Sequence, residues 1–302
     1  MKFSESLKKN KEDNISIEKG ENLKMSRKTS RKLKTLYEFF KGYSKEEVDS
    51  ELEKLTGTRP LFYLKFCSEE KFATDICEGK LYANTPKYFR EKEIESGERG
   101  QGDQFELMSI IEAQSIIMCD KETNEIVMAV PKGTLRFQFR DDDLVPMVSF
   151  VGMTLRDMKL VYADEKRADF LFPFTEEEYN SMVEKFGKFC VIVNGRELER
   201  HINYYCEENE CDYIFDKVEY CEQNRLDRMQ AFSKSAKERF LYKNKDLAYQ
   251  REYRLVIAHE LPIDHFVRIG KLDNTKILET EDMREFKFSI GYISHQIGEE
   301  MI

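Results

Sequence analysis

The feature that most constrains the fold is a series of short apolar runs, each bounded by glycine, charged or helix-capping residues. Runs of this length are typical of β-strands, whereas core helices need longer periodic segments. The predicted strands cover residues 61–66, 80–83, 135–139, 147–151, 189–193, 253–258 and 286–292. Helical patterns lie between them. We therefore expect an α+β fold, in which short helices pack on a mixed, mostly antiparallel sheet.

Two sequences predict the start of a helix. Ser44 and Thr175 are each followed three residues later by a glutamate, which is the capping-box pattern. The first predicted helix ends near Gly57 and the second at Gly187. Another helix is predicted over residues 223–240.

The N-terminal segment differs from the rest of the chain in charge. Residues 1–34 carry eleven Lys or Arg against five Asp or Glu, while the whole chain has a net charge of -9. The basic run at residues 24–34 would hold an anionic partner such as nucleic acid, or it is simply a solvated arm. We divide the chain into a basic flexible arm (1–34), a small helical N-terminal extension (35–58) and an α+β main domain (59–302).

Composition also restricts the compartment. No window approaches the ~18 apolar residues of a membrane span, and the N-terminus lacks a signal-peptide core. The seven cysteines are unpaired in spacing, which fits a reducing compartment. His201, Cys206, Cys211 and Cys221 lack the close pairs of a zinc site, so no metal is expected. These patterns predict a cytoplasmic protein without a membrane partner.

Residues 249–257 contain the candidate site. Alternation along a strand would place Gln250, Glu252 and Arg254 on one face, above an apolar core segment. A carboxylate, an amide and a guanidinium on one rigid face are typical of a functional site. The alternative is that Glu252 and Arg254 pair with neighbours on the solvent face of a sheet.

A second candidate element covers residues 84–106, which we predict to be a long polar loop. Its glycines would let the backbone approach a ligand closely, and Arg90 and Arg99 would bind phosphate oxygens. The alternative is a charged surface loop with turn glycines.

These segments together resemble a bacterial family of unknown function. Its members have an aromatic first strand, an Asn-Thr-Pro loop leading to Gly-Asp-x-Phe-Glu, and a closing Glu-x-Glu-x-Arg strand. The corresponding elements here are residues 61–66, 80–89, 102–106 and 249–256. Genes of this family occur near phage-defence and toxin loci, so the resemblance implies a toxin or phage-defence role.

The pair Gln250 and Glu252 also resembles the catalytic strand of mono-ADP-ribosyltransferases. Cleavage of the nicotinamide–ribose bond develops positive charge on the ribose, which a preorganised carboxylate stabilises. The resemblance implies that Glu252 is this carboxylate and that Gln250 orients the acceptor, with Arg254 beside them. It also implies the cofactor contacts, which are Tyr63, Lys65 and Ser149. Independently of the resemblance, we expect Arg90, Arg99 and Asp103 to lie on a mobile loop over the site.

The leading functional expectation is therefore an NAD-cleaving, ADP-ribosyltransferase-like cytoplasmic toxin or phage-defence effector. Its acceptor would be a nucleic acid or a protein, and a neutralising partner protein would accompany it. The alternative is a non-catalytic module that binds a nucleotide or a partner, associated with nucleic acid through the basic arm.

Overall fold

The computed structural model describes residues 34–35, 44, 59–97, 100–163 and 167–291. The predicted arm (1–34) and helical extension (35–58) therefore lie almost wholly outside the described residues, as does the helix predicted after Ser44. Within the described part of the chain, no helix is long and apolar enough to cross a membrane.

The described secondary structure alternates between short strands and short helices. The strands are β1 (Lys34–Thr35), β2 (Phe62–Cys67), β3 (Lys80–Tyr82), β4 (Ser109–Ala113), β5 (Ile116–Cys119), β6 (Ile126–Val130), β7 (Gly133–Phe137), β8 (Met147–Met153), β9 (Lys159–Ala163), β10 (Arg167–Leu171), β11 (Phe189–Asn194), β12 (Tyr213–Lys217), β13 (Glu219–Cys221), β14 (Tyr242–Asn244), β15 (Glu252–Ile257), β16 (Phe266–Arg268), β17 (Thr275–Glu279) and β18 (Lys287–Gly291). The α-helices are α1 (Glu70–Cys77), α2 (Pro86–Ser96), α3 (Glu176–Phe186), α4 (Gly195–Glu208) and α5 (Leu226–Ser233).

The fold class is α+β, and the strand pairing is mostly antiparallel, as predicted; β13 and β14 form a parallel pair. Each strand predicted from an apolar run is present to within two residues at either end. Short apolar runs located most of these strands because they supply side chains to a core, although β7 has no buried side chain.

The described chain forms two compact units. The first contains Met1–Ala73, Met153–Arg196 and Asn274–Ile302, and the second contains Thr74–Gly152 and Glu197–Asp273. The assignment of residues 59–302 to a single main domain therefore stays a prediction.

The first unit contains two groups of antiparallel strands. One has the order β2-β11-β17, and the other has the order β1-β9-β10-β18. Aromatic rings fill its core: Phe288 stacks on Phe170 with centroids 5.2 Å apart and meets the edge of Phe62 at 5.3 Å. The capping box predicted at Thr175 is confirmed, because its hydroxyl accepts from the Glu178 amide and the Glu178 carboxylate accepts from the Thr175 amide.

The second unit is built around three antiparallel strands in the order β12-β15-β8. An apolar cluster lies against them, formed by Leu107, Met147, Phe240 and Val256. Shorter pairs, β3 with β16, β4 with β7 and β13 with β14, also belong to this unit, as do helices α2 and α5 and most of α4. The hairpin formed by β5 and β6 exposes most of its apolar side chains.

The prediction of a long polar loop over residues 84–106 is wrong, because Pro86–Ser96 is a helix. The Thr85 hydroxyl accepts a hydrogen bond from the Tyr88 amide at 3.3 Å, and Pro86 occupies the first turn. Gly97 then ends the helix in the left-handed conformation, with φ of 69°. The residues between these signals are mostly charged. This composition favoured a loop in the sequence analysis, although the residues form a helix.

The helix predicted over residues 223–240 is shorter than expected. Helix α5 ends at Ser233, and a 3-10 turn follows at Lys237–Leu241. Ser235 adopts a left-handed conformation with φ of 52°, which interrupts the helix between them.

Candidate functional site

Strand β15 begins at Glu252, and Gln250 is not part of it. Gln250 ends the 3-10 turn Lys245–Gln250, and Arg251 follows in a left-handed conformation with φ of 46°. This residue breaks the extended backbone, so the prediction that Gln250 shares one strand face with Glu252 and Arg254 is wrong. Alternation along the strand holds for Glu252 and Arg254 alone.

Both of these side chains are buried, with Glu252 3% and Arg254 1% exposed. The alternative that they pair on the solvent face of a sheet is therefore wrong. They pair with each other instead: the Nε of Arg254 donates to Oε1 of Glu252 at 2.8 Å. A buried ion pair of this kind needs further hydrogen bonds to offset the loss of hydration.

Neighbouring elements supply those hydrogen bonds to Glu252. In the register of β8 and β15, Ser149 lies opposite Arg254, and its hydroxyl donates to Oε1 of Glu252 at 2.6 Å. Lys243, on β14, donates to Oε2 of Glu252 and to Oε1 of Gln250, both at 2.8 Å. Each carboxylate oxygen of Glu252 thus has a donor, and Lys243 joins Gln250 to Glu252.

Arg254 is held on its other side by Glu106. Its Nη1 donates to Oε1 of Glu106 at 2.7 Å and to the Phe240 carbonyl at 2.6 Å, while Nη2 reaches Oε2 of Glu106 at 3.2 Å. Glu106, Lys243, Glu252 and Arg254 form what we call the ionic cluster. All four residues are buried and belong to the second unit, and their formal charges cancel.

The cluster sets the protonation of its members. Burial acts to raise the pKa of Glu252, but Arg254 and Lys243 outweigh it and hold the pKa well below its usual range. Burial acts to lower the pKa of Lys243, but Glu252 and Glu106 outweigh it and leave the pKa raised. Burial raises the pKa of Glu106, which Arg254 and Lys243 offset only in part. Glu252 is therefore ionised at neutral pH.

Three members of this site were not assigned from the sequence. Glu106 ends the Gly-Asp-x-Phe-Glu motif, which was a signal, but it was given no role. Lys243 and Tyr220 carry no local signal, although the Tyr220 hydroxyl accepts from the Glu252 amide at 2.9 Å. The partners of a buried charge are brought to it by the tertiary fold, so short-range sequence patterns do not identify them.

The predicted cofactor contacts are divided between several places. Ser149 lies in the ionic cluster's hydrogen-bond network, as described. Tyr63 and Lys65 lie on β2 in the first unit, where Tyr63 is 1% exposed. Arg99 lies outside the described residues.

Arg90 and Asp103 were predicted on a mobile loop, which is wrong because both are buried and held in place. Arg90, on helix α2, donates to the Glu106 carbonyl at 2.9 Å and pairs with Asp143. Asp103 accepts from the Phe105 amide at 3.0 Å, and its own amide donates to the Phe89 carbonyl at 3.0 Å. These contacts fix the segment that supplies Glu106 to the cluster.

A pocket of about 600 Å³ lies within the second unit, and Arg90 forms part of its wall. We call it the basic pocket, because four basic side chains line it against two acidic ones. Its lining residues are Lys87, Arg90, Glu91, Ile94, Gln104, Phe105, Met108, Arg136, Arg140 and Asp143. Among the described residues, neither Arg136 nor Arg140 has an ion-pair partner, whereas Arg90 is held by Asp143.

Metal-binding and thiol chemistry have little support in the described part of the chain. No group of three or more His, Cys, Asp or Glu is placed there to hold a metal ion. His201 uses Nδ1 for a contact with the Ile269 carbonyl at 2.9 Å. Burial raises the pKa of the Cys190 thiol well above its usual value, so it stays protonated.

Comparison with known proteins gives no further guide. No family model, no curated protein and no solved structure matches the chain. Functional inference therefore rests on the chemistry of the ionic cluster and of the basic pocket, together with the sequence resemblances.

Proposed function

We propose that the protein binds a phosphate-bearing small molecule, such as a nucleotide, in the basic pocket. One observation carries the proposal: a pocket of about 600 Å³ is lined by four basic side chains and two acidic ones. This volume lies in the range of small-molecule sites. Guanidinium groups match the geometry of phosphate oxygens and bind them with charge-assisted hydrogen bonds.

The basic side chains of the pocket have different parts in this proposal. Arg136 and Arg140 are exposed and have no ion-pair partner among the described residues, so they are available to a ligand. Arg90 is paired with Asp143 and donates to the Glu106 carbonyl, which fixes the position of its guanidinium at the wall. Phe105 is half-buried there and offers a ring on which a base would stack.

The ionic cluster supports binding over cleavage. Glu252 is only 3% exposed, and hydrogen-bond donors from Ser149, Lys243 and Arg254 occupy its oxygens. Three of the roughly four lone-pair sites of this carboxylate are therefore taken, and its burial closes it to a ribose. Its contribution in this proposal is to hold Arg254, and through it the Glu106 segment whose carbonyl orients Arg90.

Isothermal titration calorimetry with ATP and with NAD tests this proposal. We expect saturable binding to the wild type and an affinity at least about tenfold weaker in Arg136→Ala/Arg140→Ala, because each charge-assisted hydrogen bond is worth about 1.5–3 kcal/mol. Lys121→Ala is the matched control, since Lys121 is exposed and does not line the pocket. Absence of binding, or equal affinity in the double variant, would overturn the proposal.

The second candidate is NAD cleavage at Glu252 by a toxin or phage-defence effector. Two contacts favour it: Ser149 donates to Glu252, and Lys243 bridges Gln250 to Glu252. The transferase resemblance implies that Ser149, Gln250 and Glu252 act at one site. The ionic cluster would have to open to admit the nicotinamide ribose. Nicotinamide release by the wild type, lost in Glu252→Gln that circular dichroism shows to be folded, would support it. No release from NAD, with or without cell lysate, would reject it.

A further inference from the structure

Arg228, on helix α5, is a buried arginine whose charge has no partner among the described residues. Its side chain is 1% exposed, and its Nη2 donates to the Met108 carbonyl at 2.8 Å. Its Nε and Nη1 are buried and have no hydrogen-bond partner. Three of the five N–H groups of a guanidinium are on these two nitrogens.

A second unsatisfied polar group lies beside the same backbone carbonyl. Ser109 follows Met108 and begins β4, against which helix α5 packs. Its hydroxyl is fully buried and also has no partner. The neighbouring acidic residue, Asp227, is exposed and is paired with Arg225, whose Nε donates to it at 2.6 Å.

Arg228 differs in this respect from the other buried arginines of the second unit. Arg254 pairs with Glu106 and Glu252, and Arg90 pairs with Asp143. Arg239, which is only partly buried, also makes two hydrogen bonds to Asp142, at 2.7 Å and 2.6 Å. A buried charge without a counter-charge is strongly unfavourable, so native proteins pair such groups or use them to bind a ligand.

We propose that Arg228 and Ser109 form a binding site for an oxyanion, the phosphate or carboxylate group of a small ligand. The anion would accept hydrogen bonds from Nη1 of Arg228 and from the Ser109 hydroxyl, and would neutralise the guanidinium. Neither residue lines the basic pocket, although Met108 does. This site is therefore independent of the proposed nucleotide site and does not rest on it.

The site has a consequence for stability that a structural arginine would not have. Without an anion, the unpaired charge of Arg228 opposes folding, so Arg228→Met should be as stable as the wild type or more stable in anion-poor buffer. With an anion bound, the wild type should gain more stability by mass action than the variant, which keeps only the basic pocket. An arginine that only braces helix α5 predicts a lower melting temperature for the variant in every buffer.

The experiment is thermal unfolding of the full chain in a titration of inorganic phosphate, with acetate as a second arm and sodium chloride at matched ionic strength as the reference. We expect a saturable rise of a few degrees in the wild type and a clearly smaller rise in Arg228→Met, in which only the basic pocket remains to bind phosphate. Arg140→Met, which removes a charge from the basic pocket, should keep the rise. A rise in phosphate alone identifies a phosphoryl ligand, and a rise in both identifies the shared oxyanion chemistry.

Three outcomes would overturn this site. One is a wild type that responds to neither anion, and another is an Arg228→Met variant that responds as the wild type does. The third is a response lost in Arg140→Met and kept in Arg228→Met, which would place phosphate in the basic pocket alone. If Arg228→Met does not fold, Ser109→Ala decides: a several-fold weaker phosphate response supports the site, and an unchanged response rejects it.

Discussion

Replacing Glu252 with glutamine is the sharpest perturbation of the ionic cluster. The substitution keeps the shape of the side chain and removes one negative charge. Glu106 would then face both Arg254 and Lys243, so the buried cluster would carry one uncompensated positive charge. From sequence alone, this change would be expected to affect only chemistry; the structure predicts that it destabilises the fold.

The size of the effect follows from the burial. Removing one partner of a buried, hydrogen-bonded ion pair costs about 3–5 kcal/mol. For a chain of this size, each kcal/mol lowers the melting temperature by about 2–4 °C. We therefore expect Glu252→Gln to melt on the order of ten degrees below the wild type at neutral pH.

The difference should depend on pH in one direction. The pKa of Glu252 is lower in the folded protein than its usual value of 4.5, because Arg254 and Lys243 outweigh the effect of burial. The carboxylate therefore contributes its full stability above about pH 4.5 and loses it progressively as the pH falls toward the folded pKa. The gap between wild type and variant should be constant near neutrality and should shrink below pH 4.5.

Circular dichroism melting curves from pH 3 to pH 8 measure both effects. Glu112→Gln is the matched control, since Glu112 is exposed on β4, and it should melt with the wild type. A Glu252→Gln variant as stable as the wild type at pH 7, or a gap that does not change with pH, would refute the reasoning about the cluster.

The other predictions concern packing, thiol reactivity and capping. Gly102→Ala should cost about 1–3 kcal/mol, because its Cβ would lie 2.5 Å from the Glu93 amide nitrogen and 2.6 Å from the Phe89 carbonyl oxygen; unchanged urea denaturation would contradict this. In native protein at pH 7, iodoacetamide should modify the exposed Cys119 and spare the buried Cys190. Peptide mass spectrometry measures the labelling of each cysteine, and equal labelling of the two would contradict this prediction. Thr175→Ala should lose about 1 kcal/mol of stability with the capping box, and an unaltered melting temperature would show that the box contributes nothing.

Elements with strong local signals could be predicted from the sequence. The apolar runs at 61–66 and 189–193 became β2 and β11, because a buried strand needs a mostly apolar segment. The capping box at Thr175 was also correct, since both of its hydrogen bonds form within four residues. In these places local preference and tertiary packing agree.

Helix α2 shows where prediction from the local sequence fails. Its Thr-Pro start and glycine end are helix signals, but its charged composition favoured a loop. Arg90 and Glu93 are nevertheless buried, because each meets a partner far away in the chain: Arg90 pairs with Asp143, and the Glu93 carboxylate accepts from the amide of Gln104 at 2.8 Å.

The candidate site was predicted only in part for the same reason. Glu252 and Arg254 were identified because strand alternation places them together, and Ser149 came from the resemblance. Glu106 and Lys243 complete the cluster through contacts with residues 148 and 9 positions away, which no spacing rule relates to β15. The unpaired charge of Arg228 could not be recognised before its burial was known.

Equilibrium dialysis of the protein against a mixture of ATP and NAD tests the central claim most directly. Chromatography of both chambers would quantify each nucleotide and any nicotinamide released. The proposal predicts that intact nucleotide accumulates with the wild type, that it does not with Arg136→Ala/Arg140→Ala, and that no nicotinamide forms. Equal nucleotide in both chambers, or nicotinamide appearing in the protein chamber, would contradict it.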